Sequence, residues 1–99
     1  MTEHATVIDV SRYYAAPGKR DELIHAMKQM AERAASSEGC FGAQACGSDQ
    51  DEEALVAVSR WDSQASLDRF AQSPEFVDAR EQLLSLLSKP ARREHLRPK

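Results

Sequence analysis

The spacing of apolar residues changes several times along this chain, and each change marks a new element. Residues 6–14, TVIDVSRYY, are rich in β-branched and aromatic side chains and stop at Ala15-Ala16-Pro17-Gly18, which reads as a strand followed by a turn. Beyond the turn the period becomes helical. Leu23, Met27, Met30, Ala31 and Ala34 fall on one face, with Arg20, Glu22, Lys28, Gln29, Glu32 and Arg33 on the other. Asp21 and Glu22 sit in the first turn, where the helix dipole favours negative charge, and Ser36-Ser37-Glu38-Gly39 ends the run. Two strands follow, Cys40 to Ser48 and Ala54 to Trp61, joined into a hairpin by the acidic turn Asp49-Gln50-Asp51-Glu52-Glu53. In Ala54-Leu55-Val56-Ala57-Val58 both alternating sets of side chains are apolar, the pattern of a sheet covered on both faces.

Asp62 or Ser63 can cap a short helix through Ala71. Ser73 can cap another, with Pro74 at the first helical position, where its missing N–H costs nothing. The spacing carries this second helix to about Ser88 and buries Phe76, Leu83, Leu84 and Leu87; Pro90 stops it, and Arg92 to Arg97 supply a final strand. The order strand, helix, strand, strand, helices, strand is that of an α+β, ferredoxin-like domain, an antiparallel sheet with helices on one face. Residues 1–99 read as one such domain, and a chain of 99 residues leaves little room for a second. The doubly apolar third strand leads to a homodimer in which two sheets pack face to face, since such a face is costly in water.

Composition narrows the function. A formal net charge of −3 gives no nucleic-acid footprint, which calls for clustered positive surface. The one basic cluster, KPARREHLRPK from Lys89 to Lys99, reads as a solvated terminal strand and tail. No basic-then-apolar leader and no run of 18 apolar residues is present, so the expectation is a cytoplasmic protein with no membrane partner. Cys40 and Cys46 lie six residues apart on one strand, roughly 20 Å, too far to pair with each other, and read as reduced, partly buried thiols. His4, His25 and His95 have no ligand spacing, so no metal is assigned. Phosphate-binding loops, dinucleotide-binding glycine patterns and nucleophile elbows are missing.

Three groups of residues remain as candidates for a site. Trp61, Phe70 and Phe76 crowd into one short stretch, which is either plain core or the aromatic wall of a cavity at the strand-to-helix corner. Arg80 lies four residues after Phe76 and four before Leu84, inside an apolar stripe, so its guanidinium needs an acid partner, a route to solvent or a cavity to face. Asp9, Ser11 and Tyr13 share one face of the first strand and form the polar side of a pocket if that face is turned to the helices. Asp9 is then a general base if burial raises its pKa, or the partner of an arginine.

Pro17-Gly18-Lys19 before the first helix, Glu38-Gly39-Cys40 opening the second strand, Trp61-Asp62-Ser63 closing the third and Ser73-Pro74-Glu75-Phe76, in that order, resemble the antibiotic biosynthesis monooxygenase family. The resemblance spans nearly the whole chain. It implies a homodimer, a pocket between sheet and helices lined in part by Trp61, and, as in the quinone-forming members, oxidation by O₂ without metal, flavin or haem. Where many members carry a histidine nine residues after the tryptophan, this chain has Phe70; where many have glutamate two residues before it, this chain has Ser59. Haem-degrading members need asparagine, tryptophan and histidine at positions nearest to Ser11, Phe70 and Arg80, and none of the three matches, so haem turnover is not expected.

These observations lead to a cofactor-independent monooxygenase acting on a small aromatic quinol or polyketide-like substrate. Trp61, Arg80 and Asp9 are the expected catalytic residues, and Ser11, Tyr13, Ser59, Phe70 and Phe76 the expected substrate contacts. A non-catalytic dimeric module that binds a small molecule, and an isomerase or decarboxylase using the same pocket, are the rival readings.

Overall fold

In the computed structural model, which describes residues 4–99, the strand β1 (Val7–Tyr14) lies inside a four-stranded sheet of order β2-β3-β1-β4, where β2 is Cys40–Gly47, β3 is Ala54–Trp61 and β4 is Arg92–Leu96. All neighbours are antiparallel. β1 pairs with β3 in the register Val7↔Trp61, Asp9↔Ser59, Ser11↔Ala57 and Tyr13↔Leu55, and with β4 as Asp9↔His95 and Ser11↔Arg93. Because side chains alternate along a strand, these residues share the face turned to the helices.

Three helices cover that face. The first, α1 (Arg20–Ala35), buries Leu23, Met27 and Ala34, the stripe expected from its period, and packs on β2 and β3. The second, α2 (Gln64–Ala71), starts at Ser63, whose hydroxyl accepts a hydrogen bond from the Ser66 backbone N–H at 3.1 Å. The third, α3 (Pro74–Leu84), starts at Ser73 in the same way, with Phe76 N–H as donor at 3.3 Å and Pro74 in the first turn. Serine at each cap satisfies a backbone donor that the helix cannot, which stabilises each end by about 1 kcal/mol.

The sequence pattern extends this last helix to Ser88, but it ends four residues earlier. Ser85 closes it, and the following chain is drawn onto the end of β1, with Ser88 N–H donating to Tyr14 C=O at 2.8 Å and Ala16 N–H to Leu86 C=O at 2.8 Å. Leu87 still packs in the core through a bridge to Ala15. Leu84 does not; it is 42% exposed, because the helix stops before any element can cover that side.

The core is divided. Val7, Ala34, Trp61 and Leu67 form one buried cluster, and Leu23, Met27, Leu55 and Leu83 form another. On the opposite sheet face, alternation presents Ile8, Val10, Val56 and Val58, all partly accessible, with Leu96 41% exposed at the edge. Cys40 and Cys46 are both half-buried, and neither forms a disulfide among the described residues. No helix among the described residues is long and apolar enough to cross a membrane.

Gly39 holds the junction between α1 and β2. Its φ of +88° is left-handed, its carbonyl accepts from Asp62 N–H at 2.8 Å, and a Cβ there would collide with the side chains of Ser66 and Asp62. Gly39→Ala is expected to destabilise the fold by about 2 kcal/mol or more, through both strain and overlap. Urea denaturation checks this, and an unchanged midpoint would show that the junction relaxes freely.

Candidate functional site

Between the two core clusters the facing residues are small. Ala31 and Ala34 on α1 look across at Ala43 on β2, Ala57 and Ser59 on β3 and Ser11 on β1, and none can fill the space between the helices and the sheet. A cavity of about 190 Å³ results. Met27, Met30 and Leu83 close it on one side, and Phe70 and Phe76 on another. Its polar residues are Asp9, Ser11, Tyr13, Gln44, Ser59, Arg80 and Arg93.

The expected polar face of β1 is therefore turned inward, with Asp9, Ser11 and Tyr13 all on the cavity wall and Ser11 only 7% exposed. Phe70, Phe76, Ser59 and Arg80 join them there. Trp61 does not. It is completely buried in the cluster with Val7, Ala34 and Leu67, behind the wall. Position explains this: Trp61 ends β3 opposite Val7, directly beneath α2, which closes over the indole. Its influence on the cavity is indirect, through its Nε1–H, which donates to Ser59 Oγ at 2.8 Å, and through Phe70, whose ring centroid lies 5.4 Å from its own. The tryptophan thus fixes the rotamer of one wall residue and the position of another.

Asp9 is held rather than free. Arg93 Nε and Nη2 donate to its two carboxylate oxygens at 2.8 and 3.2 Å, and His95 Nε2 stands 3.2 Å from Oδ1. A two-point guanidinium–carboxylate pair is the strongest common form of this contact. It commits the oxygens that a general base would use, so the arginine-paired alternative for Asp9 is the arrangement seen. The same bonds hold Arg93 protonated more firmly than an ordinary guanidinium.

Arg80 differs from Arg93. It lies one turn past Phe76 on α3, reaches the cavity edge, and among the described residues has neither a hydrogen bond nor a salt bridge. Tyr13 is the half-buried acid of the site. Burial, aided by the negative charge of Asp9, pushes its phenol above the ordinary value of 10.0, against the pull of a hydrogen bond from Ser11 and the positive charges of Arg93 and Arg80.

Arg93 and His95 are the site-facing groups that the sequence pattern hides. They belong to the basic stretch read as a solvated tail, and β4 is indeed exposed along its length. The usable signal was the alternation Arg93, His95, which places both on one face of a strand, opposite an acidic residue on the neighbouring strand.

This architecture has close counterparts. The model of the antibiotic biosynthesis monooxygenase family matches residues 6–82, and the chain belongs to that family. A conserved protein from Methanosarcina mazei superimposes with a TM-score of 0.88 at 23% identity, covering 96% of this chain and 94% of its own. A Mycobacterium tuberculosis protein gives 0.87 at 25% identity, covering 96% of each chain. A Caulobacter crescentus protein assigned to the antibiotic biosynthesis monooxygenases gives 0.85 at 18%, covering 96% of this chain and 91% of its own. Likeness at such low identity speaks for the fold, an α+β ferredoxin-like one, more than for the reaction. No curated protein matches the sequence.

Tyr13 offers a direct check on the site. In a Tyr14→Phe variant it is the only tyrosine, and its phenolate absorbance is expected to titrate with a midpoint above 10. The sign for stability follows: with a folded pKa raised over the unfolded one, this group's contribution is complete below pH 10 and falls as pH rises through the folded pKa. A midpoint at or below 10 would mean that the ring is not buried against the cavity.

Proposed function

We propose that the protein is a cofactor-independent monooxygenase for a small aromatic quinol, bound in the cavity between the two core clusters. The observation that carries the reading is an apolar chamber with a cation that is unpaired among the described residues, Arg80, at its edge, beside Ser11, Tyr13 and Ser59. Flat apolar walls suit an aromatic ring. A guanidinium already in place favours the ionised form of a phenol or enol oxygen, the electron-rich species that can reduce O₂. The balance needs no outside reductant: a quinol and O₂ give a hydroxyquinone and water, one oxygen atom replacing a ring C–H as C–OH and the other leaving as water. Ser11 and Ser59 supply hydroxyls for the remaining ring oxygens. Trp61, for which sequence suggested a catalytic role, serves here as a positioning residue through Ser59 and Phe70.

A catalytically silent binding module is the second reading, and the clamp on Asp9 favours it, because the one carboxylate in the wall is already engaged. Oxygen uptake separates the two. With a panel of dihydroxynaphthalenes, the wild type is expected to consume O₂ in proportion to quinone formed, and Arg80→Gln to lower kcat/KM by about a hundredfold, the lower end of what loss of an oxyanion partner costs elsewhere. Ligand binding without uptake would remove the monooxygenase reading.

We further read residues 1–99 as one domain that works as a homodimer through the face carrying Ile8, Val10, Val56 and Val58. Helices cover the other face, and a second copy would remove this one from water. Sedimentation at micromolar concentration is expected to give a dimer, and Val58→Asp a monomer of lower stability. A wild-type monomer whose stability does not depend on concentration would count decisively against the assembly.

A further inference from the structure

Phe70 and Phe76 belong to two cavities at once. On one side they close the chamber of about 190 Å³; on the other they form the back of a second depression of about 260 Å³, lined by polar side chains that include Arg33, Glu38, Arg69 and Ser73. Their ring centroids are 4.7 Å apart, so the two rings are in contact and form a partition two side chains wide. Behind Phe70 stands the buried Trp61, which fixes that half. Phe76, on the first turn of α3, is only partly buried, and among the described residues Phe70 is its one aromatic ring contact.

We infer that this partition sets the length of the substrate, admitting one or two fused rings and excluding a third. The inference rests on the binding mode proposed above. A ligand oxygen held at Arg80 fixes one end of the molecule, and its rings must then extend inward, towards Phe76 and Phe70. An apolar protein cavity of roughly 150 Å³ is known to take one benzene ring. A chamber of about 190 Å³ therefore takes a ring with substituents or a compact bicycle, and a linear tricycle anchored at the same point meets the partition. A larger ligand could hang out of the opening, but its oxygen would then leave Arg80. Cutting back Phe76 joins the chamber to the depression beyond and gives the third ring a place.

The test compares one-, two- and three-ring hydroquinones for binding, by quenching of Trp61 fluorescence, and for oxygen uptake. The wild type is expected to bind the two-ring ligand about tenfold or more tightly than the linear three-ring one, the scale of an overpacked site. In Phe76→Ala that ratio is expected to approach one. Phe76→Leu, a milder change that guards against misfolding of the alanine variant, is expected to fall between. Equal affinity of the wild type for two and three rings, an unchanged ratio in both variants, or no binding of any of these ligands would each overturn the inference. Size selection by binding with no oxygen consumed would leave the partition standing and remove the monooxygenase reading instead.

Discussion

The site depends on a failure of packing that the sequence imposes. Side chains of leucine or methionine size anchor α1 to the sheet at Leu23 and Met27, and Trp61 with Leu67 closes the other end, but the stretch between is built from alanine and serine. Protein interiors are normally filled to the density of organic crystals, and a gap between well-packed regions forfeits dispersion contacts on every wall. Such a gap persists only because the two clusters hold the layers apart like supports at either end of a span. The cavity is thus a property of residue size at a few facing positions, and it needs no special backbone.

The same constraint explains the polar clamp at the sheet edge. β4 is short and exposed along its whole length, so apolar burial contributes little to holding it. Arg93 and His95 reach over β1 to Asp9, and this cluster, together with the β1–β4 ladder, fastens the strand beside the cavity. Exposed ion pairs contribute little, whereas the Asp9 side chain is only 17% exposed and held at two points, which places this pair nearer the strong end of the range. What it gains in rigidity, Asp9 loses as a proton acceptor.

Much of the fold was legible because its signals are local. The strand at 6–14, the stripe from Leu23 to Ala34, the hairpin and the two serine caps depend on neighbours within a few residues, and the structure follows each closely. Errors arose where distant segments decide. The end of α3 is set by hydrogen bonds that tie residues 86 and 88 to the end of β1 and the turn after it, Ala16 N–H donating to Leu86 C=O and Ser88 N–H to Tyr14 C=O, which no local period can announce. Trp61 sits behind the wall instead of in it because α2 folds back over the end of β3, and whether an aromatic residue at a strand end faces a cavity or its lining depends on that return angle. Arg93 and His95 were hidden for the opposite reason: their own segment is polar throughout, and only pairing with β1 turns one side of it inward.

Tyr13 and a bound quinol would face the same electrostatic field, and comparing them shows where an acidic ligand oxygen has to sit. At Tyr13, burial, helped by the negative charge of Asp9, outweighs the Ser11 hydrogen bond and two guanidinium charges, and the phenol keeps its proton beyond the ordinary range. The Coulomb attraction between unit charges at 4 Å is about 4 kcal/mol at an effective dielectric constant of 20 and falls inversely with distance, whereas the desolvation penalty of burial does not depend on the distance to any one cation. A ligand phenol lying where Tyr13 lies would therefore stay protonated. One in direct contact with Arg80 is in the opposite regime, since a charge-assisted hydrogen bond adds to the attraction and the exposed guanidinium retains part of its water. Ionisation and depth of burial are thereby assigned to different ends of one ligand: the oxygen to be ionised at the wet edge near Arg80, and the rings in the dry space that the small side chains leave open.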